Sequence, residues 1–453
     1  MSATPSKAIV LSIDSAIACR VYEWARSGLL PAFGRLMERG VHAANCLACY
    51  PTATPPNRAT VATGAWPGTH GVVDGAAPSG CADAAPPLPG LDDLAAETLW
   101  NACKRGGRKS VVLRWPSPWF SIRLPEAEPV VAGGEGSPEA LLETVDRYLA
   151  QVVGDTKSAL AQPWEVCFLT LDLLDGFYQH RLNQAERTPK GKGSSKSKDV
   201  ELKVYQRLDR ALGEILELVG DETLVVVASA HGVKPQGKPL EMGPILEQAG
   251  LLTYLPVANG SGREVDWSRT KAAPWGTVYI TVNLKGRNPN GIVEPGDEYE
   301  AVVRRVIDAL HDYTDPETGL KPVNLALRAE DARILGLYGD RIGDVVYALD
   351  PRFGTEYGAQ LPASRFDGGD LRALFVMAGP GVKKGEVLNR NVWLTDVVPT
   401  VCYLAELPIP RECEGCVIYQ ALEDPDAKVA ELEALRAELA RLKQAVERPG
   451  MMC

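Results

Sequence analysis

Short apolar runs rich in β-branched residues, each bounded by turn signals, constrain this chain more than any other feature. Residues 8–13 (AIVLSI), 109–113 (KSVVL), 165–171 (EVCFLTL), 223–228 (TLVVVA) and 374–377 (LFVM) carry little of the polar alternation of a half-exposed strand. Runs of this kind suit strands covered on both faces, as in an open, mostly parallel α/β sheet flanked by helices. Helical periodicity lies between them. Residues 21–39 read as one helix, with Leu29, Leu30, Phe33, Leu36 and Met37 at helical spacing and Gly40 as its stop. Residues 139–152 and 199–218 read as two more. The lysine-, serine- and glycine-rich stretch 185–198 reads as an exposed loop.

Residues 234–350 differ in texture, with many turns, short alternating strands (278–284) and one helix (297–311). They read as a smaller α+β subdomain inserted into a core domain formed by residues 1–233 and 351–423. Residues 424–447 contain no glycine, and Leu432, Leu435, Leu439, Leu442 and Val446 recur at 3,4,3,4 spacing. This heptad seam predicts a C-terminal helix that either pairs with a second copy, as a short coiled coil, or packs back on its own domain.

Composition narrows the function classes. With 48 Lys and Arg against 58 Asp and Glu, the net charge is −10, which gives no electrostatic reason to coat nucleic acid or an anionic membrane. Hydrophobic residues make up 45 %, enough for a large core, and no apolar run approaches the roughly 20 residues of a membrane span. The polar lead of the chain runs almost directly into a strand pattern, and ten cysteines are too sparse for a disulfide scaffold. The expectation is a soluble, cytoplasmic protein. Cys46-Leu-Ala-Cys49 and Cys413-Glu-Gly-Cys416 are both C-x₂-C, read either as a structural zinc site or as coincidence.

Two places carry chemistry. Asp14 ends the first apolar run, where open α/β sheets bind ligands, and serves there either as a metal ligand or as a helix cap. The segment Tyr50–Asn57 (YPTATPPN) holds Thr54 among three prolines, just before a segment that can begin a helix. A hydroxyl at a helix N-terminus suits attack on phosphorus or phosphate binding; an ordinary N-cap is the other reading.

The run PTATPPNRATVATGAWPGTHGV resembles the nucleophile segment of the type I phosphodiesterase/nucleotide pyrophosphatase family, within the alkaline phosphatase superfamily. Similar matches include AIVLSIDS, LDLLDGFYQH, VVVASAHG, GPILEQAGLL, GPGVKKG and TDVVPTVCYLAELPIP, so the resemblance covers most of the chain. It implies an alkaline-phosphatase-like core and a centre with up to two divalent ions, commonly zinc, about 4 Å apart. In such a centre one ion activates a Thr or Ser hydroxyl for in-line attack, and the other stabilises the leaving oxygen.

Carried over residue by residue, the resemblance makes Thr54, ahead of Thr52, the nucleophile. It makes Asp14, Thr54, Asp175, His180 and His231 the metal ligands. The Asp-x-x-x-His spacing from Asp175 falls on Gln179, one residue short of His180. The family's Ser-Asp-His-Gly motif is Ser229-Ala230-His231-Gly232 here, with a methyl where a carboxylate ligand belongs. Leu361–Arg372, where a last histidine ligand is expected, holds none, leaving Asp367 or Asp370 as substitutes. His70 belongs to a structural turn. Asn57, and Asp74 beside the Gly75 that replaces a phosphate-donating Asn, are the expected substrate-binding residues. The resemblance therefore implies a metal-dependent phosphoric ester hydrolase with a Thr nucleophile, an incomplete two-metal site and a small phosphorylated substrate. The alternative is a pseudoenzyme that binds a phosphorylated ligand or a protein partner through the same cleft.

Overall fold

A computed structural model describes residues 4–74, 94–115, 138–178, 194–235, 237–255, 263–354, 358–366 and 369–446. Its main sheet has seven strands in the order β13-β2-β12-β5-β1-β4-β3. These are β1 (Lys7–Ile13), β2 (Gly40–Leu47), β3 (Ser110–Leu113), β4 (Val166–Leu171), β5 (Thr223–Ala228), β12 (Phe375–Ala378) and β13 (Glu386–Trp393). All neighbours run parallel except β12, which is antiparallel to both β2 and β5. Every apolar run singled out above lies in or overlaps a strand of this sheet.

The unbroken apolar character of these runs has a direct cause. In β1, Ile9, Leu11 and Ile13 enter one buried cluster, with the helices Ala18–Arg26, Pro31–Arg39, Pro138–Leu160 and Ser194–Val219. Ala8 and Val10 point the other way, into a second cluster with Leu99, Trp100, Val397 and Val401. Both faces are dry, so both parities of the strand must be apolar.

The single helix expected over 21–39 is two helices, Ala18–Arg26 and Pro31–Arg39. Gly28 between them takes a left-handed φ of 77°, and Pro31 opens the second helix. The Asp209 carboxylate accepts the N–H groups of Ala32 (3.0 Å) and Phe33 (2.9 Å), donors that a helix start leaves free. The expected 139–152 helix extends over Pro138–Leu160, and the 199–218 helix begins at Ser194. Of the expected 185–198 loop, residues 194–198 are therefore helical, and 185–193 lie outside the described residues.

A second, four-stranded antiparallel sheet is ordered β6-β7-β9-β8, from β6 (Ala272–Trp275), β7 (Tyr279–Val282), β8 (Val323–Arg328) and β9 (Val345–Leu349). The helix Asp297–Asp312 packs on it through Val302, Val303, Val306 and Leu310. Tyr50 and Val73 join the same buried cluster, which ties this sheet to the segment that carries Thr54. A two-stranded ribbon, β10 (Arg365–Phe366) and β11 (Gly369–Asp370), leads back to the main sheet.

The C-terminal helix spans Ala427–Val446. Leu432, Leu435, Leu439 and Leu442 are 46 %, 61 %, 53 % and 51 % exposed, so the leucine seam does not pack on its own domain. Among the described residues no helix is long and apolar enough to cross a membrane.

Candidate active site

Sheet register builds the site. Ile13 pairs with Leu171, and Ser12 with Ala228, in parallel ladders. Asp14 and Asp172 directly follow the Ile13–Leu171 pair, and Ala230 lies two residues past the Ser12–Ala228 pair. Three strand ends thus present a row of Asp172, Asp14 and Ala230 at the carboxyl edge of the sheet, where α/β sheets hold ligands. Ser15 follows with a left-handed φ of 59°, uncommon for a residue with a side chain, and its hydroxyl donates to Asp175 Oδ1 at 2.8 Å.

Thr54 enters from the next element. It is the first residue of the helix Thr54–Thr63, after an extended Ala53. Because Pro55 and Pro56 have no N–H, Thr54 supplies the one free backbone donor among the first three residues of the helix. Its hydroxyl lies 3.0 Å from His231 Nε2. The other ring nitrogen, Nδ1, lies 2.7 Å from the Gly232 carbonyl and so carries the proton. Nε2 is then the acceptor, and the Thr54 hydroxyl donates to it. Gly232 fixes this loop: a Cβ there would meet the Asp370 carbonyl oxygen at 1.9 Å.

One turn on from Thr54, Arg58 reaches across the row. Its Nη2 donates to both Asp14 Oδ2 and Asp172 Oδ1. The Asp14 side chain is fully buried and that of Arg58 nearly so, whereas Asp172 is half exposed. Ser12 also donates to Asp14 Oδ1, at 3.3 Å.

Thr54 and His231 are thus in direct contact, Asp14 is reached by Arg58 of the same helix, and Asp175 by Ser15 beside Asp14. His180 lies outside the described residues. Two expected substrate-binding residues are committed to the fold instead. Asn57 is buried, with its Nδ2 directed at the carbonyls of Cys49 (3.1 Å), Pro51 (3.1 Å) and Ala53 (2.9 Å) and its Oδ1 accepting Cys49 N–H (2.6 Å). It clamps the proline-rich turn rather than facing a ligand. Asp74 is buried as well, and its carboxylate accepts the backbone N–H (2.6 Å) and hydroxyl (2.7 Å) of Thr277 in the β6–β7 turn. It joins the two sheets. His70 is buried, accepts Val72 N–H at Nδ1 (3.2 Å) and meets Thr60 Oγ1 (3.1 Å); burial lowers its pKa to about 3.

Of the two substitute ligands, one is engaged elsewhere and one is not described. Asp370 is ion-paired with Arg372, which also donates to Asn45 Oδ1 (2.6 Å), and Asp367 lies outside the described residues. Burial raises the Cys49 thiol to about 12 and Cys413 to about 11, which holds both as thiols. Among the described residues no group of three or more His, Cys, Asp or Glu side chains could hold a metal ion. The C-x₂-C pairs thus form no four-thiolate site. On the Asp14 side the donor set does not fit a divalent ion: Asp14 and Asp172 are engaged by Arg58, the third place in the row is a methyl group, and Thr54 is bonded to His231.

Asp172 and Arg58 escaped the sequence reading. The signal for Asp172 was present, since CFLTLD ends as IVLSID does, with an Asp just past the strand. Arg58 gave none beyond its i+4 spacing from Thr54.

Comparison with known proteins gives the family and the fold. Human ectonucleotide pyrophosphatase/phosphodiesterase family member 1 is 22 % identical over 398 residues, covering 83 % of this chain and 37 % of the relative. Mouse family member 3 is 39 % identical over 66 residues, covering 15 % of this chain and 7 % of the relative. The chain thus spans well under half the length of these curated relatives. Among solved structures, wild-type alkaline phosphatase PafA superposes with a TM-score of 0.62 at 15 % identity, covering 93 % of this chain and all of that one. Murine ectonucleotide pyrophosphatase/phosphodiesterase 5, an inactive variant in complex with AMP, superposes at 0.54 and 18 % identity, covering 89 % of this chain and 96 % of that one. These likenesses show an alkaline-phosphatase-like fold. The family model for type I phosphodiesterase/nucleotide pyrophosphatase matches residues 8–371, and the chain belongs to that family.

Proposed function

We propose that the protein is a phosphoric ester hydrolase of the phosphodiesterase type, acting on a small phosphorylated substrate with Thr54 as nucleophile. The observation that carries this reading is the Thr54 hydroxyl bonded to His231 Nε2, with Nδ1 fixed by the Gly232 carbonyl. His231 takes the Thr54 proton as Oγ attacks phosphorus. The Oγ–P bond forms, the bond to the leaving oxygen breaks, and an aryloxide departs with the electron pair. In the second step water attacks opposite Thr54 and loses a proton to solvent. The Thr54 Oγ–P bond breaks, and Thr54 recovers its proton from His231. The positive end of the Thr54–Thr63 helix favours the anionic phosphoryl group at this point.

The family's divalent ions, zinc by expectation, enter no step of this scheme, because the residues on the Asp14 side do not fit one. Ala230 and the Arg58 ion pairs favour a second reading, a pseudoenzyme that binds a phosphate ester without turning it over. Residues 234–350 act in either reading as a cap subdomain that shapes the substrate side; the Asp74–Thr277 and Tyr279–Val73 (2.8 Å) hydrogen bonds support this placement. All eight described cysteines are free thiols, in keeping with a cytoplasmic location. Assembly with a second copy through the C-terminal helix completes the reading.

Turnover of an aryl phosphodiester, followed by acid quench and peptide mass analysis, tests it. The expected result is release of one aryl alcohol with the remaining phosphate monoester joined to Thr54. Saturable binding of the same ester with neither release nor a Thr54 phosphoester adduct would replace the hydrolase by the pseudoenzyme.

A further inference from the structure

We propose that the Arg58 guanidinium is the resident cation of this centre, standing between Asp14 and Asp172 in place of a divalent metal ion. The inference rests on the reading of the Thr54 centre as a phosphate-ester site. Its test reads metal occupancy rather than turnover, so the two can fail separately.

The argument is one of charge and donors. A fully buried Asp14 carboxylate needs a counter-charge, because an unpaired buried ion costs several kcal/mol. Arg58 supplies it and takes Asp172 with the same Nη2. A planar, permanently charged guanidinium suits this role, since it reaches two carboxylates without needing a closed shell of ligands. Zinc would need three or four protein donors. The row offers two carboxylates, and its third place, two residues past the Ser12–Ala228 pair, is the Ala230 methyl, itself buried. The two changes fit each other. With Asp at 230 the row would carry three negative charges, too many for one guanidinium and suited to a divalent ion. With Ala at 230 it carries two, one of them half exposed, which a single arginine can hold. Arg58 also projects from the Thr54 helix at i+4, so it places fixed positive charge beside the nucleophile.

Zinc binding by full-length protein purified without chelator, measured by calorimetry and by bound-metal analysis, tests the proposal. The variants are Asp14→Asn, Arg58→Lys, Ala230→Asp, the double variant Arg58→Ala/Ala230→Asp, and that double variant with Asp14→Asn added. In the wild type, Asp14→Asn should leave bound zinc unchanged, whatever Asp175 and neighbouring residues hold. The double variant should gain about one ion per chain and bind zinc at least about tenfold tighter than the wild type. Adding Asp14→Asn to it should abolish that gain. Ala230→Asp alone should gain less, because Arg58 remains to pair with the new carboxylate. Arg58→Lys keeps a cation in place, should fold, and should bind no more zinc than the wild type. The proposal is overturned if the wild type holds an ion that Asp14→Asn removes. It is equally overturned if Ala230→Asp alone matches the double variant, if the double variant gains nothing, or if Arg58→Lys binds zinc at Asp14.

Discussion

The two halves of the centre, Thr54 with His231 and Asp14 with Arg58, hang from the same helix one turn apart, yet only the first keeps every residue type that the family resemblance implies. The hydroxyl–imidazole half has its hydroxyl, an acceptor nitrogen and a carbonyl that sets the tautomer. The carboxylate half has exchanged a ligand for a methyl group and is held by a guanidinium. In the proposed phosphoester centre the two tasks, activating a nucleophile and neutralising charge, therefore sit on separable residues. An imidazole can do the first where no metal ion lowers a hydroxyl pKa, and an arginine can do the second.

The largest effect should come from the intact half. Thr54→Ala leaves no oxygen to attack phosphorus, so turnover of an aryl phosphodiester should fall by at least about 10³-fold, while Thr54→Ser should retain part of it. Thr54 is partly exposed and its side chain bonds to His231, so the variant should fold normally. Turnover that survives Thr54→Ala would mean that the reacting oxygen is elsewhere and would break the comparison at its root.

The next effect separates scaffold from ligand contact. Asn57 fixes the turn that presents Thr54, through polar contacts that no apolar residue can replace. Asn57→Leu should cost about 3 kcal/mol of unfolding free energy in urea, since it strands one backbone N–H and up to three carbonyls. A variant of unchanged stability that loses only phosphate-ester binding would return Asn57 to the substrate.

A pH effect of similar or smaller size comes from beneath the same helix. Burial lowers the pKa of His70 from 6.5 to about 3. A depressed folded-state pKa means that the unfolded chain binds the proton first. The stability that His70 contributes as a neutral ring is complete above pH 6.5 and is lost as pH falls from there towards 3. At about pH 4.5 the loss should be about 2–3 kcal/mol relative to neutral pH. Urea unfolding at the two pH values should show it, and His70→Gln should flatten the difference. An equally steep loss in the variant would assign the acid sensitivity to other groups.

Much of this architecture was legible because it rests on local pattern. The runs 8–13, 165–171 and 223–228 are apolar in both parities because each strand is dry on both faces, and the strand ends then line up Asp14 with its neighbours. What escaped depends on through-space pairing. Periodicity carried the helix reading across Gly28, although its φ of 77° and Pro31 divide the segment. Asn57 and Asp74 look like ligand donors in a sequence because both are polar residues near a nucleophile. Only the fold shows that their atoms are met by Cys49 and Thr277, the latter from a sheet some 200 residues away (277 − 74 = 203). Arg58 could not be placed from spacing, because its partners come from two other strands.

The smallest effect on stability, and the clearest on size, concerns a region whose apolar pattern is exposed rather than buried. In the C-terminal helix, Leu432, Leu435, Leu439 and Leu442 form a seam open to solvent, while Lys428 in its first turn pairs with Glu406 on the body. With Leu432 and Leu439 at heptad position a, Glu431 and Glu438 occupy g, and Arg436 and Lys443 occupy e. In a parallel pair each g residue faces the e residue five positions on in its partner, so Glu431 meets Arg436 and Glu438 meets Lys443. In an antiparallel pair g faces g and e faces e, which sets like charges together. A second copy paired through this seam should therefore lie in parallel register. Chain ending at Glu423 should be monomeric by light scattering where the full chain is a dimer, with unfolding free energy of the body changed by less than about 0.5 kcal/mol. Reversing the e positions with Arg436→Glu and Lys443→Glu should also give monomers, by placing Glu against Glu across the seam. An assembly that survives both changes would have its interface on another face of the molecule.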